Sequence, residues 1–210
     1  MLKQGFKDLL KNYTNHLNHV NELWEEIQNH YSGVERHYHN LEHLENLFKR
    51  LKRIKPYITN WNSILFAVYY HDIIYSPTQN DNEIKSAELA VSRLKKIMVP
   101  EEDIKSCQEM ILATQSHLLS QNEDINYFTD ADLSILGESR ENYMIYCKNI
   151  RKEYSIYPDE IYRAGRMKLL NQLLKRQRIF HTKYFFAKFE SQAKRNLNQE
   201  LLFLSENKPL

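Results

Sequence analysis

The amino-acid sequence predicts an all-α protein, folded as a single-domain helical bundle. Gly (4) and Pro (5) are rare in 210 residues, whereas turn-rich β folds need both residue types at their corners. Leu, Lys, Glu, Gln and Ile, which suit helices, are plentiful. Apolar residues recur at the three-to-four-residue spacing of amphipathic helices along most of the chain. We therefore expect one helical domain over residues 1–210.

The apolar stripes give the order of the helices. They predict helical stretches over residues 5–30, 40–55, 61–72, 82–98, 101–117, 138–154 and 178–204, with a further long helix that begins at Pro158. The stretch from Trp61 to Asp72 is apolar nearly all round, which predicts a buried central helix. Residues 76–81 and 121–130 are expected to be loops. Residues 131–137 form a short element, with Gly137 as a plausible break.

Charge and composition exclude several classes of partner. The formal net charge is only +2, and basic and acidic residues are mixed, so no nucleic-acid polymer or membrane surface is expected as a partner. The longest apolar run, Ile64–Tyr70, is far too short to span a bilayer. The N-terminus has no apolar signal core. Two distant cysteines, Cys107 and Cys147, favour a reducing compartment, so we expect a cytoplasmic protein.

Two polar residues, His71 and Asp72, end the most apolar predicted helix. Burying both side chains is costly unless each finds a partner. A divalent cation would satisfy both, through an imidazole nitrogen and a carboxylate oxygen. From these two residues alone, a helix end with a capping histidine and a solvated aspartate fits equally well.

A second group of histidines lies in the string ERHYHNLEHL (35–44). Side chains four residues apart share one helix face, so His39 and His43 could point into one site. If the helix begins only after Asn40, His39 lies at its entrance and His43 in its first turn. A polar helix entrance that merely tolerates histidine explains the pair equally well.

A third candidate, Asp132, lies among apolar or small neighbours in the string ADLSIL (131–136). A carboxylate in such a stretch needs a charge partner or hydrogen bonds. The alternative is an N-cap that opens a helix, but Asp130 suits that role as well or better. Asp132 is therefore the freer of the two to be a metal ligand.

The order His … His-Asp … Asp on successive helices resembles the signature of the HD superfamily of metal-dependent phosphohydrolases. The string Tyr38-His39-Asn40-x-x-His43 is similar to the first metal motif of the cyclic-nucleotide phosphodiesterases in that superfamily, and Ala131-Asp132-Leu133-Ser134 to their last one. The strings NEIKSAELA (82–90), IRKEY (150–154) and YRAGR (162–166) are similar to a family of predicted HD phosphohydrolases of about this length. The resemblance implies a helical bundle of the HD-domain type.

The resemblance also implies a role for each matching residue. The residues that match the metal ligands are His43, His71, Asp72 and Asp132. Asp72 matches the carboxylate that bridges to a second ion where two are present. His39 matches the general acid that protonates the leaving oxygen.

Two choices stay open within the motifs. Other HD proteins carry Arg-x-x-His before the helix, which would make His39 the ligand, preceded by Arg36. We prefer His43, because Leu47 follows it at the spacing of the superfamily pattern. The phosphodiesterases have a second histidine three residues after His-Asp, and here Tyr75 stands at that position. The sequence therefore predicts one firm metal site, leaves a second ion open, and makes cyclic-nucleotide specificity doubtful.

Further side chains are candidates for substrate binding or for orienting the ligands. Arg36 is the first choice for gripping phosphate, because arginine suits bidentate phosphate contacts and this one lies beside the first motif. Glu83 could orient a ligand histidine or the water, or simply favour the helix dipole. His117 could support a second ion or a phosphate oxygen, or be an exposed helix-terminal residue.

The resemblance implies a metal-dependent phosphoric ester hydrolase, and we expect it to act on a small phosphorylated metabolite, with nucleotides as the favoured class. A bound divalent ion lowers the pKa of its water from about 16 toward about 7 and neutralises phosphoryl charge. The mixed ligand set suits Mn, Fe, Co, Ni or Zn better than Ca, and Mg is also a candidate. The alternatives are a di-iron oxygenase of the HD type and a non-catalytic, metal-containing binding module. The aromatic run Tyr184–Phe186 indicates core packing, a homodimer face, or a floor for a flat ligand.

Overall fold

The computed structural model of this chain describes residues 2–14 and 16–206, and the all-α prediction is confirmed for them. The α-helices are α1 (Leu2–Leu10), α2 (Leu17–Tyr31), α3 (Leu41–Arg53), α4 (Trp61–Tyr70), α5 (Asn82–Lys96), α6 (Glu101–Ala113), α7 (Glu123–Leu133), α8 (Arg140–Glu153), α9 (Asp159–Leu174) and α10 (Lys183–Ser205). Two short 3-10 helices lie at Lys55–Tyr57 and Ser134–Gly137. The chain forms two compact units, one up to Thr129 and one from Asp130 onward, and their boundary lies inside α7. The single domain of HD type stays a prediction.

Helix α4 forms the centre of the first unit, as its apolar sequence predicts. Every residue from Ser63 to Tyr70 is buried, and α3, α5 and α6 pack around the helix. Its start is held by polar groups: the Asn60 side chain accepts a hydrogen bond from the Ser63 amide, and the Asp124 carboxylate accepts from the amides of Thr59 and Asn60. These bonds satisfy amides that a helix start leaves without an intrahelical partner. Within residues 2–14 and 16–206, the helices all fall short of the length and apolarity needed to cross a membrane.

In the second unit, α10 packs along α9 and against the 3-10 helix at Ser134–Gly137. Gly137 does more than interrupt a helix. A Cβ atom at this position would lie 2.5 Å from Cβ of Phe189 and 2.6 Å from its carbonyl oxygen. The absence of a side chain at Gly137 therefore lets α10 approach the 3-10 helix closely.

Two predictions about secondary structure are wrong. The apolar stripe over residues 5–30 is divided between α1 and α2, because the chain turns at Tyr13 and Thr14, whose amides both bond to the Leu10 carbonyl. The predicted loop at 121–130 is largely helical. Its polar string is a capped helix start, in which the Asn122 side chain accepts from the Asp124 amide. Acidic first-turn residues suit this end of a helix, and a buried Phe128 packs inward.

Candidate metal centre

The first turn of α3 carries His43 into the interior. The Asn40 side chain caps the helix by accepting hydrogen bonds from the amides of Glu42 and His43, at 2.9 and 3.2 Å. The helix therefore begins after Asn40, with His39 at its entrance and His43 one turn inside. The His43 side chain is buried, with 7% of the residue exposed.

The end of α4 carries His71, which is 1% exposed. Its Nδ1 lies 3.2 Å from the carbonyl oxygen of Val68, one turn back along the same helix. An Nδ1–H donating to this carbonyl fixes the tautomer and leaves the Nε2 lone pair available. Histidines that ligate metals are usually oriented by such a hydrogen bond from the other ring nitrogen.

Three ligand-type atoms of the first unit converge at the ends of α3 and α4. Nε2 of His43 and Nε2 of His71 are 3.1 Å apart, and Oδ2 of Asp72 lies 3.7 Å from the first and 3.0 Å from the second. Ligand atoms about 2.0–2.2 Å from a shared ion lie about 2.8–3.1 Å apart at octahedral angles and about 3.3–3.6 Å apart at tetrahedral angles. Two of the three distances fall within the octahedral range, and the third, at 3.7 Å, is slightly longer than either range. The two nitrogens and one carboxylate oxygen are a donor set for a divalent metal.

The last turn of α7 supplies the remaining predicted ligand, Asp132. One turn earlier on this helix, the Phe128 ring packs edge-on against the His71 ring, with centroids 5.7 Å apart. Asp132 itself belongs to the second compact unit, which begins at Asp130, and its assignment as a metal ligand stays a prediction.

His39 lies beside the cluster rather than in it. Its ring centroid is 5.9 Å from that of His43 and 4.2 Å from that of Tyr75, with the His39 and Tyr75 planes inclined by 31°. The geometry favours His43 over His39 as the first ligand. The Tyr75 ring supports the His39 ring.

Arg36 is buried, with 8% of the residue exposed. Its Nη1 donates to the carbonyls of His39 and Asp72, at 3.1 and 2.6 Å, and its Nη2 donates to the carbonyl of Ile73 at 2.9 Å. The guanidinium carbon also lies 5.0 Å from the centroid of the Tyr31 ring and 5.4 Å from that of Tyr75. The side chain predicted to grip phosphate thus bonds to backbone around the candidate ligands.

Two residues of α5 that sequence reasoning passed over bind the segment after Asp72. The Ser86 hydroxyl accepts from the amide of Ile74 and also lies within hydrogen-bond distance of its carbonyl, and the Asn82 side chain bonds both the amide and the carbonyl of Ser76. The string NEIKS contains both residues, four positions apart and so on one helix face. Glu83, the residue of this string predicted to orient a ligand histidine or the water, is half-buried in the first turn of α5.

The other predicted side chains have identifiable positions. His117 follows α6, which ends four residues earlier than predicted, and it adopts a left-handed conformation with φ of 49°. Asp130 accepts from the amides of His181 and Thr182 and from the Thr182 hydroxyl, so it organises the start of α10. Burial raises the pKa of Asp130, and these hydrogen bonds oppose the shift. Asp130 lies inside α7, so the N-cap role predicted for it is wrong, and its carboxylate is instead an acceptor for the start of α10.

Comparison with known proteins adds no relative. No protein-family model, no curated protein and no solved structure matches this chain. The relationship to the HD superfamily stays a prediction from the motifs. The described residues form an all-α chain that contains a potential His/Asp metal-binding group.

Proposed function

We propose that this chain is a metal-dependent phosphohydrolase that acts on a small phosphorylated metabolite, with nucleotides as the favoured class. One observation carries the proposal: Nε2 of His43, Nε2 of His71 and Oδ2 of Asp72 lie 3.0–3.7 Å from one another in a largely buried position. Two imidazole nitrogens and a carboxylate oxygen at this spacing offer one divalent cation three ligand atoms at once.

The donor set decides which metals fit. Two imidazole nitrogens with the carboxylates of Asp72 and Asp132 suit Mn, Fe, Co, Ni or Zn better than Ca, with Mg as a further candidate. When bound, a divalent ion supplies Lewis-acid chemistry, activating water and neutralising phosphoryl charge. With a proton on Nδ1, His71 would donate to the carbonyl of Val68, 3.2 Å away, and present Nε2 to the metal.

His39 is the proposed general acid. It lies outside the ligand cluster but adjacent to it, with its ring 5.9 Å from that of His43. An imidazole donates a proton effectively near neutral pH, because its unperturbed pKa is about 6.5. The contact with the tilted Tyr75 ring, whose centroid is 4.2 Å away, limits the orientations of the His39 ring. His39 would therefore deliver its proton to the leaving oxygen from a fixed direction.

The test combines elemental analysis of the purified protein with a screen of phosphate esters. The screen contains phosphomonoesters, cyclic nucleotides, nucleoside di- and triphosphates and alarmones, each supplied with Mn²⁺, Zn²⁺, Co²⁺, Ni²⁺, Fe²⁺ or Mg²⁺. We expect one class to be hydrolysed with release of phosphate or a nucleotide, and chelation to stop the reaction.

Two results would overturn this proposal in different directions. Bound metal with no hydrolysis of any ester would indicate a metal-containing binding module. Two bound iron ions with iron-dependent oxygen consumption would indicate an oxygenase instead.

A further inference from the structure

The contacts of Arg36 give this residue a different task from the phosphate grip that its position in the sequence suggests. Its three hydrogen bonds go to backbone carbonyls in two separate segments. One segment precedes α3 and contains His39, the proposed acid. The other follows α4 and contains Asp72, a proposed ligand. The guanidinium therefore ties together the two stretches of chain that carry the site.

Aromatic rings complete the surroundings of this cation. Its central carbon lies within 5.0 Å of the Tyr31 ring centroid and 5.4 Å of the Tyr75 ring centroid, distances at which a cation is attracted to an aromatic ring. Tyr31 has a second role, because its hydroxyl accepts the hydrogen bond of the Asp72 amide at 3.1 Å. The backbone of Asp72 is thus held on both sides, at its N–H by Tyr31 and at its C=O by Arg36.

We propose that Arg36 is a positioning residue, which fixes Asp72 and His39 relative to each other through their backbones and leaves phosphate binding to other groups. This inference rests on the proposed function, and it states how the proposed ligand and the proposed acid are kept in position. Groups that orient metal ligands typically change metal affinity or activity by about 10–100-fold when they are removed. A phosphate-binding arginine would instead change substrate or phosphate affinity and leave the metal in place.

The substitution that tests this is Arg36→Lys, because lysine keeps the charge but cannot reproduce the forked set of hydrogen bonds. Arg151 offers a matched control. It lies in the last turn of α8, donates to the carbonyls of Tyr154 and Tyr157 at 2.9 and 3.1 Å, and lies 4.8 Å from the Tyr162 ring centroid. It also forms an ion pair with the exposed Asp159 carboxylate. Arg151→Lys therefore disrupts the same kind of contact far along the chain from the candidate ligands. Tyr31→Phe is a milder second variant, which removes one hydroxyl from the frame.

Two measurements are made on each full-length variant. The first is amide hydrogen exchange in the presence of chelator, followed at the Asp72 and Ile74 amides. The second is the dissociation constant of Mn²⁺ and Zn²⁺, together with inhibition of metal binding or turnover by inorganic phosphate. We expect Arg36→Lys to raise exchange of the two amides at least about tenfold and to weaken metal binding by about 10–100-fold. Tyr31→Phe should raise exchange of the Asp72 amide, which loses its acceptor, and should change the Ile74 amide and metal binding by less than Arg36→Lys does. Arg151→Lys should change neither quantity.

The outcomes separate this inference from the proposed function. Unchanged exchange and metal affinity in Arg36→Lys, with weakened phosphate inhibition, would make Arg36 a phosphate ligand and overturn the positioning role. If the wild-type chain binds no divalent metal, the proposed function fails. Exchange of the metal-free protein then decides the role of Arg36 by itself. If Arg36→Lys does not fold, Tyr31→Phe applies the same criteria, and unchanged Asp72 exchange in that variant contradicts the frame.

Discussion

The buried polar cluster around Glu200 in the second unit differs from the histidine cluster of the first unit in the kind of atoms that meet. Arg166 donates from Nε and Nη2 to the two carboxylate oxygens of Glu200, at 2.7 and 3.0 Å, and the Tyr143 hydroxyl bonds to the same carboxylate. Donors there face an acceptor of opposite charge. Around His71, by contrast, two imidazole nitrogens and a carboxylate oxygen face one another.

The chemical types of the contacting atoms distinguish a buried polar cluster that stabilises the fold from a candidate metal site. A bidentate Arg–carboxylate pair contains its own counter-charge, and the pair of Arg166 and Glu200 fixes α9 against α10. Two imidazole nitrogens and a carboxylate oxygen, by contrast, are a ligand set that a divalent cation can share. We therefore expect the Glu200 cluster to govern folding and the His71 cluster to govern metal binding, and the following predictions test that division.

The largest effect is expected for Asp72→Ala, which removes one donor and its negative charge from the histidine cluster. Bound metal and phosphate-ester hydrolysis should be lost together, to the background of the assays. Elemental analysis and phosphate release measure the two quantities. The exposed Asp8→Ala is the control and should retain both. Hydrolysis that survives in Asp72→Ala would contradict the assigned site.

The next effect concerns the other cluster. Glu200→Ala leaves Arg166 buried without its carboxylate, and breaking such a pair costs about 3–5 kcal/mol of unfolding free energy. The pair of Glu26 and Arg93 has a similar two-bond geometry, at 2.6 and 2.7 Å, but is about one-quarter exposed. Its Glu26→Ala variant should therefore cost only about 0–1 kcal/mol. Urea denaturation measures the unfolding free energy of both variants. Equal losses would contradict the expectation that the buried pair contributes more than the partly exposed one.

A smaller effect is expected at the edge of the histidine cluster. His39→Ala should lower kcat by about 100-fold, because a positioned general acid contributes at least about that factor. The metal content should stay unchanged, since the His39 ring lies beside the ligands rather than among them. Single-turnover rates and elemental analysis on the same sample check the two halves of the prediction. Loss of metal would instead make His39 the first ligand in place of His43.

The smallest effect is expected outside both clusters, at a position where only helix stability should change. Gly165 is exposed in the middle of α9, and a Cβ atom there would meet nothing within 4 Å. Gly165→Ala should therefore raise the unfolding free energy by about 0.5–1 kcal/mol through helix propensity alone. Denaturant titration would register this, with metal affinity unchanged. Gly137→Ala should lower stability, because its Cβ would collide with Phe189.

Features that depend on neighbouring residues could be predicted from the sequence. The apolar run that ends in His71 and Asp72 predicted a buried helix with polar groups at its end, because burial and periodicity are local properties. The cap at Asn40 and the placement of His43 one turn inside α3 could also be expected, since capping acts over three residues. The side chains of the candidate site could therefore be identified from the sequence.

Contacts to distant backbone could not be predicted in this way. Arg36 bonds to carbonyls 36 and 37 positions along the chain, and every residue type offers the same carbonyl, so the sequence carries no mark of the acceptors. The missed helix α7 has a different cause. The Asn122 cap and the acidic first turn make its start as polar as a loop, and only the spacing of Ile125 and Phe128 indicates a helix.

The bonds between α5 and the segment after Asp72 carry a consequence for recognition. The Ser86 side chain contacts both the N–H and the C=O of Ile74, and the Asn82 side chain contacts both groups of Ser76. A neighbouring β-strand would bond to the backbone in a similar way. The N–H groups of Ile74 and Ser76 are thereby committed to side chains of the protein. These amides therefore cannot donate hydrogen bonds to an anionic ligand beside Asp72, as the amides of glycine-rich loops do to phosphates. Selectivity at this side of the centre then depends on side chains, which single substitutions can retune.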